Sequence, residues 1–318
     1  MIYRIKELNK TIKKRRNKIL VLGATGMLGS MVFDYFSKNK NFEMHGTYFN
    51  EKKNKPSNKE SNFSKFDANI ALEKQCLEIF KTFQPDYIIN CIGIIKPYCK
   101  DENPIGVYKA IAVNSYFPYQ LTYICENLVT STKIIQIATD CVFRGTIGNY
   151  DENALHDPID VYGKTKSLGE VRHKNFLNIR CSIIGPEING RLSLLEWFLS
   201  HPSGSELNGF AHHYWNGITT LQFAQFCEEI ILENKFDNIR NSYHTINYIK
   251  NKSVNKYELL KIFKEIFNRN YIIKKISDIG EPVDRTLFSV LYPLKIQSMK
   301  TAVQNLKEYI DESTIYKY

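Results

Sequence analysis

Residues 18–39, "KILVLGATGMLGSMVFDYFSKN", constrain the fold more than any other stretch of the chain. KILVLG reads as a buried strand, and the helical pattern that follows begins inside a run of three glycines, Gly23, Gly26 and Gly29. A strand passing through a glycine turn into a helix is the opening half of a β-α-β unit. Gly23 permits the tight bend, Gly26 lets the backbone approach a ligand, and Gly29 allows helix and strand to pack closely. The helix N-terminus then offers unpaired N–H groups and a positive dipole end, so a dinucleotide pyrophosphate is the ligand this turn accepts, with Thr25, Met27 and Leu28 beside it.

The pattern continues along the first half. "FEMHGTYF" (42–49) fits a second strand, followed by a polar loop (50–62) and a helix over about 70–83. "DYIINCIG" (86–93) is another buried strand, a helix is expected over about 104–129, and "KIIQIAT" (133–139) is a further strand. Alternating strands and helices predict an α/β chain, a Rossmann-type doubly wound parallel sheet, over 18–180. After residue 180 the pattern changes to an aromatic-rich irregular section (191–217) and helices near 219–233 and 254–268. Residues 181–318 are expected to form a smaller substrate-binding lobe over the sheet's C-terminal edge, with scope to return a strand or helix to the first domain.

Charge is unevenly spread. Of the net +10, residues 1–18 contribute +7 through eight Lys/Arg and one acid, Glu7. The remainder is close to neutral, which argues against nucleic acid as a partner. Residues 1–17 form a basic extension whose Ile2, Ile5, Leu8 and Ile12 recur at near-helical spacing. Membrane contact through it is conceivable, but a solvated terminus is the favoured reading. The longest apolar stretch, Tyr87 to Ile95, is too short to cross a bilayer, and no signal-peptide core is present, so a cytoplasmic location is expected. Seven cysteines without a Cys-x-x-Cys pair suggest neither a disulfide framework nor zinc, and adjacent His212 and His213 rarely share one ion. No metal is assigned.

Cofactor preference is read at the end of the second strand. Sites selective for NAD carry an acid there to hold the ribose hydroxyls. In "GTYFNEKK" the strand end carries none, and Tyr48, Asn50, Lys52 and Lys53 suit a 2′-phosphate. NADPH is expected, with NADH the alternative.

The glycine turn, "NCIG" (90–93), "AVN" ending at Asn114, "ATDCVFRG" (138–145) and "YGKTKSLGE" (162–170) together resemble the extended short-chain dehydrogenase/reductases. Within them, the Thr-Asp-x-Val-Phe strand end and the Tyr-Gly-x-x-Lys helix are most similar to the dTDP-4-dehydrorhamnose reductase family. A tyrosine four residues before a lysine recurs elsewhere, as at Tyr48/Lys52 and Tyr257/Lys261, so the surrounding motifs single out Tyr162 and Lys166. The resemblance implies that Thr139 holds a substrate carbonyl, Tyr162 protonates it, and Lys166 holds the nicotinamide ribose while keeping Tyr162 acidic. It also implies cofactor contacts at Asp67, Cys91, Gly93 and Asn114. Residues i and i+4 share a helix face, so the ammonium is expected to lower the phenol by roughly 3 pH units from near 10.

Related dehydratases follow the threonine with Asp-Glu, whereas Thr139-Asp140 is followed here by Cys141. The implied substrate is therefore the ketone of a nucleotide-linked 4-keto-6-deoxyhexose, or an acetamido-deoxy-hexulose of surface polysaccharide synthesis. Cys141, Val142, Phe143 and Arg144 are expected at the sugar. Arg191, Trp197, Trp215 and Asn216 are candidates for the diphosphate and base, since arginine forks onto phosphate and tryptophan offers a stacking face. Cys141 is read as lining the pocket rather than as an acid/base. Two rivals stand beside this reading: an epimerase or epimerase-reductase, and a non-catalytic regulatory subunit of the same fold. A homodimer is compatible with all three.

Overall fold

The computed structural model describes residues 15–51, 54–57, 62–70, 72–128 and 131–316. The amphipathic reading of the basic extension and the roles given to Lys52 and Lys53 fall outside them.

The first half is built as the glycine turn requires. β1 (Asn17–Leu22) leads through the turn into α1 (Met27–Ser37), followed by β2 (Phe42–Tyr48), β3 (Phe63–Lys65), α2 (Leu72–Thr82) and β4 (Tyr87–Asn90). The helix expected over 104–129 is interrupted. It runs as α3 (Pro104–Ala110), a π turn (Ile111–Tyr116) and α4 (Phe117–Leu128). β5 (Lys133–Ala138), α5 (Val161–Leu168) and β6 (Phe176–Arg180) complete this half. The later chain contributes β7 (Ile183–Ile184), α6 (Leu194–Leu199), β8 (Glu206–Phe210), β9 (His213–Trp215), β10 (Ile218–Thr219), α7 (Thr220–Leu232) and α8 (Lys235–Ser242). After them come β11 (Thr245–Asn247), β12 (Val254–Asn255), α9 (Lys256–Ile266), β13 (Ile272–Ile276), β14 (Val283–Asp284) and α10 (Met299–Glu312). The section expected to be irregular, 191–217, thus contains a helix and two short strands.

Seven parallel strands form the main sheet in the order β11-β6-β5-β4-β1-β2-β3. Strand order reverses between β1 and β4, and their C-terminal ends open the crevice in which such sheets bind ligands. Alternation along β1 builds both layers. Ile19 and Val21 face the core shared with α1 and α7, while Leu20 and Leu22 face the core shared with α2 and α4. The later chain returns to the first half three times. β11 extends the sheet, and α7 packs on α1, where Glu228 accepts hydrogen bonds from Tyr35 Oη (2.6 Å) and Asn39 Nδ2 (2.6 Å). α10 closes the same side through Tyr309 Oη to Asp34 Oδ2 at 2.8 Å.

The smaller sheets lie in the second half: β8 pairs with β13, β9 with β12 and β14, and β7 with β10. No helix among the described residues is long and apolar enough to cross a membrane.

A buried ion pair joins these parts. Arg180, 2% exposed at the end of β6, grips Glu170 with Nε (3.1 Å) and Nη2 (2.8 Å). Its Nη1 donates to Asn247 of β11 (3.0 Å), Nη2 meets His156 Nε2 (2.9 Å), and the guanidinium lies 5.2 Å from the centre of the Phe143 ring. His156 Nδ1 in turn meets Ser167 Oγ of α5 (2.7 Å). Removing one partner strands the other in the core. Glu170→Ala should cost about 3–5 kcal/mol in denaturant unfolding, while the double replacement Glu170→Leu/Arg180→Met should recover most of it.

Candidate active site

The C-terminal edge of the sheet gathers the expected site. β1 delivers the turn, in which Gly23 adopts φ +78°, a conformation glycine reaches without strain. A Cβ on Gly29 would collide with the Gly23 carbonyl oxygen, so helix and turn are in direct contact there. Gly26 caps α1 with no side chain bonded to the first amides, and the first turn holds no acid. By contrast Asn103, Asp160, Ser193, Thr219, Asn255 and Ser298 cap their helices with side chains. An uncapped, acid-free helix start fits a phosphate group. Thr25 is buried with its carbonyl accepting from Asn189 Nδ2 (3.3 Å). Met27 and Leu28 form the first turn of α1, Leu28 pointing into the core.

The adenosine end is legible in part. Tyr48 ends β2, and the Lys55 ammonium, unforeseen from sequence, stands 4.3 Å from its ring centre. Asn50 is exposed beyond the strand. Glu51, the nearby acid, faces Lys65 at 3.6 Å. Asp67 follows β3 and accepts from the Asn69 amide at 2.9 Å. Cys91 extends the sheet ladder by donating its N–H to the Leu22 carbonyl (3.0 Å). Asn114, on the π turn, accepts from Ile94 N (2.8 Å) and donates to Ile94 O (2.9 Å) and Thr165 Oγ1 (3.2 Å). It therefore ties the loop holding Gly93 to α5.

Thr139, Tyr162 and Lys166 come together. Thr139 leaves β5 and caps the short turn Asp140–Val142, its hydroxyl accepting from Cys141 N (3.2 Å) and hydrogen-bonding the Tyr162 phenol. Asp160 caps α5 by accepting from Gly163 N (2.7 Å), and Asp101 accepts from Val161 N (2.8 Å), fixing the helix start that carries Tyr162. The expected acid phenol is absent. Burial holds Tyr162 well above its ordinary value, reinforced by Cys141 and only partly opposed by the Thr139 hydrogen bond. Lys166 turns to the Ile137 carbonyl (2.8 Å), and burial, opposed by Glu170, lowers its ammonium to about 8.

The cation beside the ring is Lys96, which the sequence reading missed. Its ammonium lies 2.7 Å from Asp160 Oδ2 and 5.9 Å from the centre of the Tyr162 ring. Burial disfavours its charge, but Cys141 and Asp160 outweigh that and hold it above its ordinary value. Arg285, whose Nη2 donates to the Arg144 carbonyl (3.1 Å), also acts on Cys141, and Lys256, 5.1 Å from the centre of the Trp215 ring, interacts with Asp140 and Cys141. The sequence offered one hint, Lys96 just past the "NCIG" strand end. Lys256 and Arg285 arrive from distant segments and carry no local signature. Cys141 is pushed up to about 12, first by burial and then by Asp140, which leaves it a thiol and fits a pocket lining.

Several substrate candidates are placed otherwise than expected. Val142 and Phe143 are buried, with Phe143 stacked on Tyr150 at 4.4 Å and Arg180 against it, so they support the loop rather than line a cleft. Trp215 is 5% exposed in the core, and both ends of the Asn216 amide hold Leu287 backbone atoms (2.8 and 2.9 Å). Trp197 packs edge-on against His201 at 4.8 Å. Arg144 and Arg191 are exposed.

A seven-stranded parallel sheet with a glycine turn at its switch point and a Tyr-Gly-x-x-Lys helix over its edge defines a Rossmann-type fold of the short-chain dehydrogenase/reductase kind. The chain belongs to the family described as the RmlD substrate binding domain, which matches residues 17–314. It is 26% identical over 263 residues to methionine adenosyltransferase 2 subunit beta of Bos taurus, covering 79% of this chain and 72% of that one. It is 28% identical over 155 residues to the dTDP-4-dehydrorhamnose reductase of Aggregatibacter actinomycetemcomitans, covering 48% and 45%. Among solved structures, the dTDP-4-dehydrorhamnose reductase of Bacillus anthracis, in complex with NADP, superposes with a TM-score of 0.71 at 16% identity, over 93% of this chain and 99% of that one. The UDP-glucose 4-epimerase of Thermotoga maritima, solved with UDP-glucose, gives 0.69 at 16% identity, over 93% and 99%.

The Lys166 environment makes a testable demand. Its folded value lies below the model-peptide value of 10.5, so the buried ammonium opposes folding in full below about pH 8 and less as pH rises through that window. Lys166→Met should raise Tm of the cofactor-free protein by a few degrees at neutral pH, and the gain should shrink in melts at about pH 9.5.

Proposed function

We propose that this chain is an NADPH-dependent reductase of a nucleotide-activated 4-keto-6-deoxyhexose. The observation that carries the reading is the convergence of Thr139, Tyr162 and Lys166 beside an uncapped glycine-turn helix. Bound reduced nicotinamide would supply the hydride. Thr139 would hold the sugar carbonyl oxygen by a hydrogen bond. Tyr162 would give that oxygen its proton as the carbon accepts the hydride, leaving a phenolate that regains a proton from solvent, so ketone becomes alcohol. Lys166, buried next to the reacting edge, would hold the nicotinamide ribose hydroxyls. Lys96 would steady the phenolate, and Lys256 with Arg285 would face the substrate diphosphate.

NADPH over NADH is supported by the missing acid at the end of β2 and by Lys55 over Tyr48. Reduction over dehydration is supported by Cys141 in place of a glutamate. An acetamido-deoxy-hexulose, a place in surface polysaccharide synthesis and a cytoplasmic location belong to the same reading. A second reading, as a regulatory subunit, has one specific support: similarity to the methionine adenosyltransferase subunits reaches 79% of this chain.

Consumption of NADPH, followed by absorbance across dTDP-, UDP- and GDP-linked 4-keto-6-deoxyhexoses, should appear with at least one sugar. Silence on all of them, together with capture of a methionine adenosyltransferase, would transfer the case to the second reading. Tyr162→Phe should lower kcat by about 10²–10⁴-fold with NADPH affinity retained. Lys96→Met should lower kcat by about tenfold with NADPH affinity retained, because the developing phenolate loses a nearby cation, and Lys96→Arg should restore it.

A further inference from the structure

Two loops far apart in the chain meet at the glycine turn, and one side chain joins them. Asn189 lies between β7 and α6, and Asn54 follows β2, 135 residues earlier. The Asn189 amide accepts from Asn54 N at Oδ1 (2.9 Å) and donates through Nδ2 to Asn54 O (2.8 Å). It thus meets both backbone groups of one residue, much as a neighbouring strand would. Nδ2 also donates to the carbonyl of Thr25 (3.3 Å), just before Gly26 and the uncapped start of α1. One amide therefore ties the second half of the chain to the glycine turn and to the segment past β2.

Asn189 is presented by a loop with little freedom. The Glu187 carboxylate accepts from Leu192 N (3.2 Å) and Ser193 N (2.5 Å), and Glu187 N donates to Glu196 Oε1 (2.9 Å). Gly190, at φ +111°, lets the chain turn closely around that carboxylate, since a Cβ there would stand 2.7 Å from Glu187 Oε2. Ile188 packs against the core. What Asn189 grips is the residue before Lys55. Pro56 is buried and confines Lys55 to an extended backbone, so Lys55 is fixed from both sides. Its ammonium lies 4.3 Å from the centre of the Tyr48 ring, at the end of β2 where the ribose 2′ position of a dinucleotide belongs.

We infer that Asn189 is a positioning residue for the cofactor, and that NADPH is preferred over NADH because Asn189 holds the Asn54–Lys55 backbone in place. Lys55 then meets the 2′-phosphate without first ordering the segment that carries it. A lysine on an unordered segment gives up backbone and rotamer freedom when it captures an anion, and prior ordering removes part of that cost. NADH has no 2′-phosphate and is bound no better for the arrangement. Asn189 acts through the backbone of residue 54. The Asn54 side chain matters little, since its amide reaches Ile188 O at 3.5 Å. The inference rests on the cofactor part of the reading above and is independent of the sugar.

The test is direct binding to the full chain without sugar, with NADPH and NADH titrated separately by calorimetry. Asn189→Ala should weaken NADPH binding about tenfold and NADH binding less than about twofold, so the preference falls. Lys55→Met should lower the preference to the same extent, and adding Asn189→Ala to that variant should lower it no further. Asn54→Ala, which keeps both backbone bonds, should bind as the wild type does. A wild type that does not distinguish the two cofactors overturns the inference. So does an Asn189→Ala variant that weakens both alike, since Asn189 would then support only the glycine turn. A preference that survives Lys55→Met overturns it equally. Loss of preference in Asn189→Ala with no sugar reduced sustains the inference while the reductase reading fails. Sugar reduced, with the preference untouched by Asn189→Ala, does the reverse.

Discussion

The buried contact between Arg180 and Glu170 is the constraint on which the arrangement rests. It draws the end of β6, the segment just past α5 and strand β11 to one point, and through His156 it reaches back to Ser167 inside α5. Each of those elements comes from a different part of the chain. A desolvated guanidinium tolerates few geometries, because its donors must all be met. Here the fork meets a carboxylate, an amide and an imidazole, with an aromatic ring along one side. The helix carrying Tyr162 and Lys166 is therefore set by a polar knot as well as by apolar packing.

What the sequence disclosed follows from how local each signal is. The turn at Gly23, Gly26 and Gly29 and the runs "KILVLG" and "DYIINCIG" define strands by composition alone, and the sheet follows from them. The π turn at Ile111–Tyr116 has no such mark, since one extra residue in a helical run leaves the apolar spacing almost unaltered. Thr139, Tyr162 and Lys166 were readable because their motifs are contiguous. Lys96, Lys256 and Arg285 were not, because three segments far apart in sequence must fold before they share a site. Val142 and Phe143 misled for the opposite reason. They adjoin Cys141 in sequence, yet their side chains point into a small core with Tyr150 and Leu287.

The electrostatics of the phenol show why spacing is a weak guide to charge. Four residues along a helix put an ammonium on the same side as the phenol, but burial governs both groups. It raises Tyr162 and lowers Lys166, which finds its partner in the Ile137 carbonyl. The neighbouring cation sits on a different segment, moored to the same Asp160 that starts the helix. Charge and helix geometry at this edge are thus set together by one carboxylate.

The extra residue of the π turn acts as a phase shift between two halves of a rod. An α-helix advances about 100° per residue, so shortening this segment by one would swing everything after Tyr116 by that angle. Leu121 and Ile124 would leave the sheet for water, and polar or ring-bearing neighbours would be driven beneath it. The length of this stretch is therefore held as firmly as its chemistry, and insertions or deletions there should be far less tolerable than substitutions.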